Sequence, residues 1–294
     1  MTCNSHCIMC LAKRQSELAA SLPDEASRTA YMCEVFRIIS ENAPHCPAPA
    51  IFGKLSEVQK NYFSGGDQYV EIKHKYNLFM LDREAAIAAR IDSSADPLRT
   101  ALLYARAGNY IDFGAMHSVD DALLEDILSK ADSEPLDDEL YRGLRSELEK
   151  AKKLVLITDN CGEIVLDKLL LSVLSRLYPS IELSVLVKGS PAINDATEAD
   201  AFEIGMERYA RIVENGVRNG TPGTWLPIIP DETVQLLREA DLIIAKGQAN
   251  FETLCGCGLP IYYLLMCKCQ RFVEMTGQPL YSGLLLREGR VDFV

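Results

Sequence analysis

After Lys153 the chain changes its period. Short apolar runs alternate with helix-patterned ones from there to the end. Leu154–Thr158 reads as a strand and "EIVLDKLLL" as a helix; Leu183–Val187 reads as a strand and "NDATEADAFEIG" as a helix. Arg211–Val213 is a weaker strand before the glycine- and proline-punctuated loop "ENGVRNGTPGTW". "DETVQLLREA", Leu242–Ala245, "NFETL", Ile261–Leu265 and "CQRFVEMTG" continue the series as helix, strand, helix start, strand and closing helix. Strands joined through helices run parallel, and a parallel sheet needs cover on both faces. No other feature limits the possible folds as much.

Before that point the texture is helical. "DEASRTAYMCEVFRIISENAP" has an acidic start, apolar residues at helical spacing and a stop at Pro44. "DQYVEIKHKYNLFMLDREAAIAARI" and "DPLRTALLYARAGNYIDFG" read alike, and "SVDDALLEDILSKADSEPLDDELYRGLRSELEKAKK" reads as two helices broken near Pro135. The expected class is therefore α/β, with an all-helical domain over residues 1–150 and an α/β domain over 151–294.

The net charge of -12 argues against nucleic acid and against an anionic membrane surface, both of which reward Lys and Arg. No apolar run approaches a membrane span, and "MTCNSHCIMCLAKRQ" lacks the apolar centre of a signal peptide. The ten cysteines are unevenly spread, and "CGC" and "CKC" place pairs too close for easy bridging. The expected setting is the cytoplasm, with reduced thiols.

In an open parallel sheet, ligands bind beyond the carboxyl ends of the strands. Asp159 and Asn160 follow the first strand, and Lys188, Asn194, Asp195 and Thr197 follow the second. Lys246, Asn250 and Glu252 follow the strand at Leu242–Ala245. An Asp-Asn pair alone is a common helix cap, but three such strand ends favour a site. Carboxylate and amide oxygens suit a hard divalent cation, which often bridges to phosphate, and lysines beside it bind phosphate as point charges.

In order along the chain, "ARAGNYIDFG", "DNCGEIVLDKLLL", "KGSPAINDAT", "GTPGT" and "KGQANFETL" resemble the motifs of the damage-control phosphatase family. Its microbial branch also tends to begin with a short cysteine-containing segment. The resemblance covers essentially the whole chain. It implies a three-layer α/β/α sandwich with a mostly parallel sheet and an attached helical domain. It also implies a phosphatase acting on small phosphomonoesters such as sugar phosphates and phosphopantetheine-type compounds, served by Mg²⁺, Mn²⁺, Co²⁺ or Ni²⁺. The family's metal ligands match Asp159, Asn160 and Asp195; Lys246 and Asn250 match its later motif, and Glu163 and Asp167 complete the first. Asp159 and Lys246 are then the expected catalytic residues. Glu163, Lys188, Asn194, Lys246 and Asn250, with Asn109 and Asp112 upstream, are the expected substrate contacts. Two routes are open: direct attack by water, or an acyl phosphate formed on Asp159.

Two other functions stay in view. One is an S-adenosylmethionine-dependent carboxyl methyltransferase, which suits a sandwich but usually has a glycine-rich first turn, where "DNCGE" offers one glycine. The other is a non-catalytic sensor of a phosphorylated metabolite. Cys3, Cys7 and Cys10 have the spacing of a radical-enzyme iron–sulfur motif, but they open the chain ahead of a helix. Reduced structural thiols are the expectation there, ahead of a zinc site shared with His6 or Cys46. His6, His45, His74 and His117 show no ligand spacing.

Overall fold

The computed structural model describes residues 1–64, 69–111 and 121–290. Strands form where the apolar runs predict them: Lys153–Ile157 (β1), Glu182–Val187 (β2), Arg211–Glu214 (β3), Leu242–Lys246 (β4) and Ile261–Met266 (β5). A further strand, Gly283–Arg287 (β6), is not in the sequence expectation. The sheet order is β3-β2-β1-β4-β5-β6; β1 to β5 are parallel, and β6 lies antiparallel to β5. The chain steps outward from β1 to β2 and β3, then returns to β4 beside β1. That reversal leaves a crevice beyond the ends of β1 and β4.

The helices are Ser5–Ala19 (α1), Glu25–Asn42 (α2), Ala48–Tyr62 (α3), Val70–Ser93 (α4), Pro97–Gly108 (α5), Asp121–Lys130 (α6) and Asp138–Leu148 (α7). After β1 come Glu163–Leu177 (α8), Glu198–Glu203 (α9), Asp231–Glu239 (α10), Gln248–Leu254 (α11) and Gln270–Thr276 (α12). Among the described residues no helix is long and apolar enough to cross a membrane.

Alternation along each strand builds two cores. Leu154, Leu156, Leu242 and Ile244 face one side, where they pack with Ile164, Leu170 and Leu171 of α8 and Leu102 and Ala105 of α5. Val155, Ile157, Ile243 and Ala245 face the other, against Leu237 of α10, Phe251 of α11 and Phe272 of α12. Helices on both faces of a mostly parallel sheet make the expected three-layer sandwich.

A third core lies in α1, α2 and α3, around Leu11, Tyr31, Val35, Ile51 and Leu55. Residues of α4, α5, α6 and α7 instead share the core of α8 and the sheet. The division into 1–150 and 151–294 remains a proposal drawn from composition.

Candidate active site

Asp159 and Asn160 leave β1 at the crevice, and α8 starts at Glu163. The segment from Asn194 to Thr197 is pinned across the ends of β1 and β2. Cys161 N–H donates to Asn194 O at 2.8 Å, Ala196 N–H to Asp159 O at 2.8 Å, and Lys188 N–H to Ala196 O at 2.9 Å. Asn160 and Asp195 pair as an isolated bridge, so two ligand-bearing segments that lie far apart in sequence stand side by side. Ile193, just before them, has φ of 53°. A β-branched residue in the left-handed region is strained, and such strain persists only where surrounding contacts fix the loop.

Behind Asp159 stands a fully buried ionic group. Lys246 Nζ donates to Glu163 Oε1 at 2.6 Å, to Asp167 Oδ1 at 2.6 Å and to Ala105 O at 2.8 Å. Those three bonds use every donor an ammonium has. Burial alone would lower the Lys246 pKa; Asp167 and Glu163 outweigh it and leave it raised. Burial raises Asp167 to about 7, against the pull of Lys246. Glu163 in turn accepts from the Asn160 side chain at 2.9 Å and from Asn109 Nδ2 at 3.0 Å. Both amide nitrogens also reach Asp159 Oδ2 at 2.9 Å. Asn109 Oδ1 accepts from Met266 N–H at 3.1 Å, which ties the end of α5 to the end of β5.

A cavity of about 250 Å³ opens on this group. Its inner end is lined by Asp159, Asn160, Asn194 and Asp195; its outer walls include Leu11, Phe52, Pro49, Cys7, Cys269 and Arg271. Gly247, between β4 and α11, has φ of +78° and leaves room that a side chain would take from Asp159.

The structure brings Asp159, Asn160, Asn194 and Asp195 to the cavity, as their strand-end positions predict. It does not bring Lys246, Glu163, Asn250, Asn109 or Lys188 there. Lys246 sits on the face of β4 shared with Ile244, so the period of two turns it toward α5 and α8. Its three donors are taken by Glu163, Asp167 and Ala105 O, so in the structure it braces Glu163 and does not line the cavity. Asn250 is buried, donating to Thr158 O at 3.0 Å and Lys246 O at 2.7 Å while accepting from Thr224 Oγ1 at 2.9 Å. Lys188 Nζ bonds Gly223 O at 2.8 Å and lies 3.4 Å from Asp195 Oδ2. Asp112 and His117 lie outside the described residues.

Cys7 and Cys10 are within α1, where the sequence expectation has them ahead of a helix. They line the cavity together with His6, Arg14, Gln248, Glu252, Lys268 and Arg271. Of the other lining residues, Arg14, Gln248, Lys268 and Arg271 do not stand out in the sequence. The run "CKCQR" after β5 carries a signal, since it too leaves the carboxyl end of a parallel strand; α1 carries only the cysteine spacing, which does not point to this cavity.

The inner donor set fits a hard divalent cation. Two nearly buried carboxylates and amide oxygens converge, and the Asn160 nitrogen is committed to carboxylates, which leaves its oxygen for a ligand. Among the described residues no group of three or more His, Cys, Asp or Glu is placed to hold a metal. Such a cation would therefore rest on Asp159 and Asp195, completed by Asn160 and by water or substrate oxygens, as Mg²⁺ commonly is.

A family model described as the damage-control phosphatase ARMT1-like domain matches residues 3–284. A damage-control phosphatase of Archaeoglobus fulgidus is 33% identical over 253 residues, covering 83% of this chain and 84% of that protein. A damage-control phosphatase of Pyrococcus horikoshii is 30% identical over 288 residues, with 96% of each chain covered. The crystal structure of a DUF89 family protein from Pyrococcus horikoshii superposes with a TM-score of 0.79 at 27% identity, over 98% of this chain and 99% of that one.

Proposed function

The chain belongs to the damage-control phosphatase ARMT1-like domain family, and from that premise we propose that it is a divalent-metal-dependent phosphatase of small phosphomonoesters. The observation that carries the reading is the juxtaposition of Asp159, Asn160 and Asp195 at the inner end of the cavity. A phosphate ester is an anion, and two bare carboxylates would repel it. A cation between them reverses the local sign. When bound, Mg²⁺, Mn²⁺, Co²⁺ or Ni²⁺ supplies Lewis-acid polarisation of a phosphoryl oxygen.

The protein's own part is to hold that set still. Lys246 fixes Glu163, Glu163 fixes Asn109 and Asn160, and both amides fix Asp159 Oδ2. Because Oδ2 takes two N–H bonds, it is a weakened nucleophile. We therefore assign Asp159 to the cation and attack on phosphorus to water. Substrates in the class of sugar phosphates and phosphopantetheine-type or damaged phosphometabolites suit a cavity of about 250 Å³. S-adenosylmethionine suits it less, since the turn after β1, "DNCGE", offers one glycine where such a donor usually meets a glycine-rich turn. A cytoplasmic setting is supported by ten free cysteines and no disulfide among the described residues.

The test is hydrolysis of p-nitrophenyl phosphate and a panel of phosphorylated metabolites by chelator-treated protein. Activity should be low and should return with Mg²⁺, Mn²⁺, Co²⁺ or Ni²⁺. Full turnover in chelator, with no metal by elemental analysis, rejects the metal assignment. Turnover of no ester under any ion, with ligand binding retained, favours a sensor.

A further inference from the structure

Thiols occupy the cavity wall at the start of α1. Cys7 lies in the first turn of this fifteen-residue helix, whose cap, Asn4, accepts from Cys7 N–H at 3.0 Å. Cys7 Sγ accepts from Arg271 Nη1 at 3.0 Å, and Arg271 Nη2 donates to Thr2 O at 2.9 Å. The guanidinium of α12 is thus clamped over the sulfur. Cys3, in the segment just before the helix, is the neighbouring thiol that acts most on this sulfur.

A hydrogen-bond donor, a fixed guanidinium and the positive end of a helix all favour sulfur as the thiolate. We propose that Cys7 is a peroxide-reactive thiolate resolved by Cys3, and so a modification site in the wall of this cavity. The proposal stands apart from the phosphatase reading and needs no metal.

The Cys7 thiol is pulled down to about 5, first by the Cys3 hydrogen bond, then against burial by the Asn4 backbone N–H and Arg271. Cys3 is raised for the same reason, since it keeps the proton it shares. The other titratable neighbours are Cys10 on α1, Glu252 on α11 and Cys269 at the start of α12; burial raises all three first, and Cys7 as an anion adds to it. His6 turns away to Glu274, at 3.7 Å.

The chemistry balances with a hydroperoxide as oxidant. The Cys7 thiolate attacks the outer peroxide oxygen, the O–O bond breaks, and the leaving alkoxide or hydroxide takes a proton. Cys7 becomes a sulfenic acid. Cys3 sulfur then attacks that sulfur, forming S–S and releasing water. Two thiols and one hydroperoxide give one disulfide, one alcohol (or water) and one water.

The experiment uses the reduced full-length chain, alkylated briefly with iodoacetamide near pH 6 and read by peptide mass spectrometry. Cys33, exposed on α2, is the internal reference. Held as thiolate near pH 6, Cys7 should label about tenfold faster than the reference, its lower nucleophilicity taking back part of the gain in thiolate fraction. Arg271→Gln should erase much of that advantage. Equimolar hydrogen peroxide should yield a Cys3–Cys7 cross-linked peptide, and in Cys3→Ser a dimedone-trapped sulfenic acid at Cys7. Equal labelling of Cys7 and Cys33 in the unsubstituted chain overturns the proposal. So does oxidation that spares Cys7, or that joins it to another cysteine in preference to Cys3.

Discussion

A side chain at residue 247 would put its Cβ 1.9 Å from Asp159 Oδ2, so the Gly247 backbone is the floor on which the Asp159 carboxylate rests. The two residues lie at the ends of neighbouring parallel strands, β1 and β4. No rearrangement of a flexible tip resolves the overlap, because Asp159 is held by Asn109 and Asn160 on the same oxygen.

Gly247→Ala should therefore displace Asp159, and the positive φ adds about 1 kcal/mol or more of backbone strain. The expected result is a folded or mildly destabilised protein whose kcat/KM on p-nitrophenyl phosphate falls by about 10²-fold or more. Wild-type kinetics from this variant would show that Asp159 placement does not matter.

Asp159→Asn tests the charge at the same point. The variant keeps an oxygen to accept the Asn109 and Asn160 amides, so circular dichroism should be unchanged. Turnover should fall by at least about 10²–10³-fold, and titration calorimetry with Mn²⁺ should show weaker binding. Retained turnover with retained metal affinity would remove Asp159 from the centre.

Lys246→Met separates a brace from a phosphate ligand. It leaves Glu163 and Asp167 buried without their cation, and breaking a buried pair on one side costs about 3–5 kcal/mol. The urea midpoint should fall sharply, and Lys246→Met with Asp167→Asn should recover part of the loss. Near-normal stability with a raised KM alone would instead place Lys246 against substrate.

Glu252 gives stability a pH slope. Burial first, then the Cys7 anion, raises its pKa from 4.5 to about 7, with Gln248, Arg271 and the N-terminal ammonium opposing. The folded chain thus holds a proton that the unfolded chain releases between these values. Stability contributed by that proton is present below about pH 4.5 and is lost as pH rises toward 7, by at most about 3 kcal/mol. Asp167, also raised, slopes the same way. Urea unfolding between pH 5 and pH 8 should show a falling midpoint, flatter in Glu252→Gln. An equal slope in that variant would exclude Glu252 as a source.

The sandwich was legible because β1, β2, β4 and β5 are continuous apolar runs, which buried parallel strands must be. β6 was not: "GLLLR" follows a closing helix, and an antiparallel edge strand needs no crossover to announce it. Asp159, Asn160 and Asp195 were legible as oxygen donors at strand ends. The inward face of Lys246 was less legible, because position at a strand end says nothing about face; counting by twos from Leu242 turns it toward α5 and α8. Arg271 and Cys7, 264 residues apart, meet only through docking of α1 on the sandwich, which no local pattern encodes.

The bond from Met266 N–H to Asn109 Oδ1 spans 157 residues. Its consequence concerns the order of events during folding. The support of Asp159 needs the end of α5, the start of α8 and the end of β5 at once, and loops that long close late. A nascent chain that has made β1 and β2 therefore owns the acidic residues without their scaffold. The centre matures only when the last parallel strand docks, so partly folded chains should be silent as catalysts, and hydrogen exchange at Met266 should report opening of the site as a unit.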